Sequence, residues 1–244
     1  MKRIISRIRL VYLIVASLLV LISCSTNKKA TIKNGDASVT ANAPDYEQIK
    51  KDINKKDSEF YYPELLRRFQ EADTTLGLEQ LRHFYYGTAT RPEYNPYQFD
   101  LSKALNEALE KKDLQQAKSI IDRQLAKDPT NLKFYMQKMM VNIDLYGRES
   151  EEANSAFFQV YMLLSAILSS GDGKTKESAI YVINIADEYA IMYRLGVTPT
   201  SQSLMEHKGQ SYDVMELAEN EYGLKSIYFN ITVRKEAMKK LFGF

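Results

Sequence analysis

The sequence predicts a mainly helical α+β protein: stacked helical hairpins over 45–170, then a small antiparallel β-sheet and a C-terminal helix over 171–244. Three observations point there. Apolar residues recur at helical spacing from Tyr46 to Leu168, in segments opened by Asp or Gly caps. β-Branched and aromatic residues then crowd together from Ala179 onward, with alternation at 212–217 and 224–231. The composition, 45% hydrophobic and 26% charged with 10 glycines and 6 prolines, is that of an ordinary globular chain.

The elements follow from local chemistry. Asp45-x-x-Gln48 is a capping box ahead of Tyr46, Ile49 and Ile53. A second helix runs from Tyr61 or Pro63 to about Ala72, with proline in the first turn. A third covers Leu78 to Tyr86, capped by Gly77 with Gln80 three residues on, and Gly87 is expected to end it. Thr88 to Asp100, carrying Pro92 and Pro96, reads as loop. Asp100 opens a helix with Leu101, Ala104, Leu105, Ala108 and Leu109 on one face, and Asp113-x-x-Gln116 opens the next, which ends at Asp128-Pro129. The helix from Leu132 to Tyr146 has the stripe Tyr135, Met136, Met139, Met140 and Ile143. The one from Ala153 to Leu168 is apolar nearly all round and is expected to be central.

Ala179 to Ile185 reads either as a strand followed by a helix that Asp187 caps and Gly196 stops, or as part of one helix over 177–195. Tyr212–Leu217 and Leu224–Ile231 form an antiparallel hairpin around a turn ending at Gly223. Ser203–His207 adds a strand through Lys208-Gly209, and 234–242 closes as a helix.

The first residues read as an address. Lys2, Arg3, Arg7 and Arg9 precede an apolar run from Leu10 to Ser23, shorter than the roughly 20 residues a membrane-crossing helix needs. Leu21-Ile22-Ser23-Cys24 resembles the lipobox of bacterial lipoproteins. That resemblance implies a signal peptide over 1–23, acylation of Cys24 (the chain's one cysteine) and a membrane anchor without a spanning helix. The other reading is an uncleaved anchor helix with a buried thiol. Residues 25–44, rich in Ser, Thr, Asn, Lys and Ala, are a tether, and 45–244 is one folded domain. Ser25 in place of the retention aspartate, with Lys28 and Lys29 in place of an acidic run, implies by the same resemblance the outer membrane facing the periplasm. Loss of 1–23 leaves 29 basic against 31 acidic residues, which removes the electrostatic basis for a nucleic-acid partner.

Lys112-Asp113-Leu114-Gln115-Gln116-Ala117, with Ile121, Leu125 and Asp128-Pro129, resembles the second half of a tetratricopeptide repeat. Ala108 and Ala117 are its small packing residues, and the likeness covers one repeat, about 98–131. A 34-residue step finds Glu151 and Leu163 where alanine and proline belong, so the resemblance implies stacked hairpins and not a long solenoid. Taken whole, the chain is similar to small lipoproteins of anaerobic diderm bacteria that carry a domain of unknown function. The likeness lies in Cys24, Tyr61-Tyr62-Pro63, Tyr85-Tyr86-Gly87 and Tyr228-Phe229-Asn230, and it implies no activity.

Catalytic motifs are sparse. Glu79 and His83 share a helix face but lack a third ligand, the other histidine being His207. Gly171-Asp172-Gly173-Lys174-Thr175 lacks the first glycine of a phosphate loop, because Leu168 stands there, and reads as a turn. No Gly-x-Ser-x-Gly elbow exists. Glu216, Glu219, Glu221 and Asp187-Glu188 read as solvated faces and caps. No cofactor, metal or catalytic residue is assigned.

The feature with binding chemistry is aromatic: Phe84, Tyr85, Tyr86, Tyr94, Tyr97 and Phe99 with Arg82 and Arg91 crowd one loop. Arg82, Tyr85, Tyr86, Arg91, Tyr94 and Tyr97 form either a partner or ligand surface or the packing that staples the loop down. The expected function is a non-catalytic envelope module binding a protein or peptide. The alternatives are a glycan-binding module or hydrolase with a carboxylate site under that loop, and a small-ligand carrier using the Met-rich helix 132–146.

Overall fold

The computed structural model describes residues 42–96 and 100–243. Within them the chain forms α1 (Tyr46–Ile53), α2 (Tyr62–Gln70), α3 (Leu78–Thr88), α4 (Ser102–Glu110), α5 (Leu114–Lys127), α6 (Leu132–Tyr146) and α7 (Glu151–Leu168). There follow β1 (Ile180–Tyr181), α8 (Ile185–Leu195), β2 (Pro199–His207), β3 (Gln210–Leu217), β4 (Ser226–Asn230) and α9 (Thr232–Phe242).

The caps hold the helices where local chemistry puts them. Asp45 accepts from Gln48 N and Asp113 from Gln116 N, both at 2.9 Å. Asn131 and Ser150 do the same for α6 and α7, and Gly77 N donates to Gln80 Oε1. Helices pack in neighbouring pairs, α4 on α5, α5 on α6 and α6 on α7, while α3 is gripped by α1, α2 and α7. Ala108 and Ala117 are buried, in α4 and α5. At the centre Phe69 lies 4.5 Å from Phe84 and meets Tyr135 edge-on at 5.3 Å, each ring contributing about 1.5–3 kcal/mol through burial.

Several expectations need correction. Gly87 does not end α3, which runs on to Thr88. A Cβ there would stand 3.1 Å from the Ile53 side chain, so its smallness lets α1 close on α3. On α6 the buried residues are Leu132, Phe134, Tyr135, Val141 and Asn142, and Met140 is exposed; packing against both α5 and α7 broadens the buried face beyond one stripe. On α7 only one side is covered, by α6, α3 and β1, and its other side meets solvent.

The sheet has order β1-β4-β3-β2 and is mixed: β3 is antiparallel to β2 and β4, but β1 runs parallel to β4. The expected strand at 179–185 shrinks to Ile180–Tyr181. Val182 N still donates to Asn230 O, which rules out one helix over 177–195, and Asn184, not Asp187, takes the cap position of α8. The β2–β3 turn has Lys208 and Gly209 at φ +51° and +77°, the twist two-residue hairpins favour. In the turn at 171–178, Asp172 Oδ1 accepts from Lys174 N and from Ser178 Oγ. Gly171 is packed so closely that a Cβ would stand 2.3 Å from Ser178 O.

Candidate functional site

Among the described residues, the open side of α7 presents large apolar side chains to solvent. Ala153, Ala156, Val160, Leu163, Ala166 and Ile167 point inward. Phe157 (52% exposed), Tyr161 (50%) and Leu168 (40%) follow one another at i, i+4 and i+11, with Phe158 beside them. They mark a stripe about 16 Å long. The Phe157 and Phe158 rings sit edge to face at 5.7 Å. Large rings left in water on one helix face, rather than scattered, are what a docking surface presents.

The aromatic residues singled out from sequence lie elsewhere. Tyr85 and Tyr86 are fully buried and Arg82 nearly so. Arg82 donates through Nη1 to Ser169 Oγ (2.7 Å) and through Nη2 to Asn42 O (2.8 Å). Burial pushes the Tyr86 hydroxyl well above the usual tyrosine range. Arg91 stacks over the Tyr62 ring at 4.1 Å and lies 3.5 Å from Glu93. Tyr94 donates to Ile183 O (2.5 Å), while Ile183 N donates to the Tyr85 hydroxyl, so the two tyrosines hold both backbone groups of that residue. Tyr97 and Phe99 lie outside the described residues. The residues of this cluster that are described therefore staple α3 and its following loop to the entry of α8, and Arg82, Tyr85 and Tyr86 offer no surface.

Beneath the sheet lies a buried polar group that sequence reading placed in solvent. Asp187 and Glu188 are both 0% exposed. Tyr85 donates to Asp187 Oδ2 (2.6 Å) and Leu132 N donates to Oδ1 (3.3 Å), so Asp187 ties α3, α6 and α8 together. Burial, followed by Asp128 nearby, raises its carboxyl to about 8. Glu188 is raised to about 9 by burial and by Asp213. As a carboxylate neither of its oxygens has a donor; as an acid it donates to Asp213, whose other partner is Arg234 Nη2 at 3.1 Å. Burial thus favours the protonated form of both acids. A signal for this group existed: Asp213 stands in register with Phe229, next to Met215, on the inward side of a strand covered on both faces.

Glu79 and His83 do not converge. His83 stacks on Phe60 and approaches Glu79 O and Asp52 Oδ2, while the Glu79 side chain lies near Arg82. Among the described residues no cluster of His, Cys, Asp and Glu has the arrangement to hold a metal ion, and no helix is long and apolar enough to cross a membrane. A cleft of about 240 Å³ lies between Pro44, Tyr46, Tyr181, Gln210, Thr232 and Glu236. Its polar groups bind one another, Asn230 Nδ2 and Thr232 Oγ1 both donating to Gln210 Oε1. Glu216, Glu219 and Glu221 are exposed, as read.

The model of the family described as "Domain of unknown function (DUF4919)" matches residues 47–240, and the chain belongs to that family. No curated protein and no solved structure matches it.

Proposed function

We propose that this member of the DUF4919 family is a lipid-anchored, non-catalytic envelope protein that binds a partner protein through the exposed stripe of α7. The single observation that carries the reading is that stripe: Phe157, Phe158, Tyr161 and Leu168 stand in water on a helix whose other faces are packed. The tetratricopeptide likeness of the α4–α5 pair supports an interaction scaffold, since such hairpins present helix faces to partners. The lipobox ending at Cys24, outside the described residues, supports acylation there and a place in the outer membrane facing the periplasm. The residues at 25–44 then act as a tether, giving the folded domain reach from the membrane.

The test is chemical crosslinking in living cells, followed by purification of the tagged full chain and mass spectrometry. One reproducible protein is expected, lost from a Phe157→Glu/Tyr161→Glu variant that keeps the parent circular dichroism. Equal recovery with that variant, or no enriched protein at all, overturns the reading. Globomycin treatment is expected to alter electrophoretic mobility, and unchanged mobility overturns the lipid anchor.

A further inference from the structure

β2 is the open edge of the sheet and lies in water on both faces: Thr200 through Leu204 and Glu206 are exposed, Leu204 at 59%. Its free backbone groups can be located. On β3, Leu217 N donates to Lys225 O and Ser211 O accepts from Ile231 N, so the odd-numbered residues of β3 face β4. The even-numbered ones, Tyr212, Val214 and Glu216, therefore face β2, where their partners are Met205, Ser203 and Ser201. The closing pair His207–Gln210 across the two-residue turn agrees with this. Gln202, Leu204 and Glu206 thus aim their N–H and C=O groups away from the sheet.

Proteins ordinarily guard such an edge with lysine, proline or a bulge. Between Ser201 and His207 none of these occurs; the register shift sits before Ser201. The one acid there, Glu206, is paired with Lys235 of α9. On the helix side of the sheet, Leu204 stands open between Gln202, which accepts from the Tyr189 hydroxyl, and that ion pair.

We infer that β2 pairs with β2 of a second copy, antiparallel and centred on Leu204, joining two sheets into one. This register is self-complementary. Gln202 falls opposite Glu206, Leu204 opposite Leu204 and Glu206 opposite Gln202, and each pair exchanges both backbone hydrogen bonds. The amide of Gln202 meets a carboxylate, leucine meets leucine, and no like charges face each other. Centring on Glu206 would set two carboxylates side by side. The pairing leaves the α7 stripe untouched, so it stands or falls separately from partner binding.

Cysteine crosslinking of the full chain tests the register, with the parent protein, which holds only Cys24, as background. Leu204→Cys brings two thiols onto one pair with Cα atoms about 5.5 Å apart, inside disulfide range. In Gln202→Cys or Glu206→Cys alone the like cysteines are four residues out of step, about 13 Å apart. Mild oxidation is expected to give about tenfold more linked dimer from Leu204→Cys than from either of these, and coexpressing the two is expected to link them to each other. Leu204→Pro, which removes an outward N–H that β3 does not use, is expected to sediment as a monomer with unchanged circular dichroism. Absence of the Leu204→Cys dimer, equal linking at all three positions, or linkage of Leu204→Cys to a different protein overturns the inference.

Discussion

Around Phe84 the helices close on rings: Phe69, Phe84, Tyr135 and Leu65 meet with nothing charged between them. Around Asp213 the sheet, α8 and α9 close on an arginine and two acids, Asp213 paired with Arg234 and Glu188 beside Asp213. Both places are equally dry. The first is held mainly by buried apolar area, which does not titrate. The second depends on which groups carry protons, because two buried carboxylates against one guanidinium would leave a charge uncompensated. Stability is therefore spread over the whole protein, while sensitivity to solution conditions is concentrated beneath the sheet.

The largest way to break this contrast is through the rings. Phe69→Ala is expected to cost about 3–5 kcal/mol in urea unfolding, by nearly the same amount at pH 5 and pH 8. A strong pH dependence of that loss would erase the distinction between the two cores. Next, Arg234→Met strands Asp213 and is expected to cost about 3 kcal/mol, most of it recovered when Asp213→Leu is added. No recovery in the double variant would place the loss in packing and not in charge.

The pH profile sharpens the comparison. Asp187 and Glu188 have folded-state values raised to about 8 and about 9, above their unfolded ones. Between pH 5 and 8 the folded state holds more protons than the unfolded, so stability falls as pH rises, by about 1.4 kcal/mol per pH unit for each of the two acids. Thermal melting is expected to drop steadily from pH 5 to pH 8, and Asp187→Asn is expected to reduce that slope by about half, Glu188 supplying the rest. A melting temperature that climbs over this interval would refute the assignment of protons to these acids. The smallest effect belongs to the open side of α7: Tyr161→Ser is expected to shift stability by less than about 0.5 kcal/mol. A larger loss would mean that the ring packs against the fold and is not free for a partner.

What was legible in the sequence was local. Asp45 with Gln48 and Asp113 with Gln116 mark helix starts within four residues, and the structure uses both caps. The alternation at 212–217 and 224–231 was enough to find the hairpin. What was not legible depends on partners far along the chain. Asp187-Glu188 looks like any acidic first turn; only Tyr85, 102 residues away, makes a buried acid of Asp187. Gly87 looks like a stop signal until Ile53 is seen to lean on it. An all-apolar helix looks central, and nothing within 151–168 tells which side its neighbours will leave bare. The aromatic loop shows the same limit, since a run of tyrosines reads alike whether it faces a ligand or the interior.

One contact has a mechanical consequence. Arg82 spans from Asn42 O, at the beginning of the described chain, to Ser169 Oγ just beyond α7, its guanidinium 5.4 Å from the centre of the Tyr86 ring. A pull applied at Asn42 therefore acts on Arg82 as well as on α1. It loads a cation in the protein's interior, and the force runs along that side chain into α3 and the end of α7. The backbone at Asn42 is thus fastened to the helical core like a rope on a cleat.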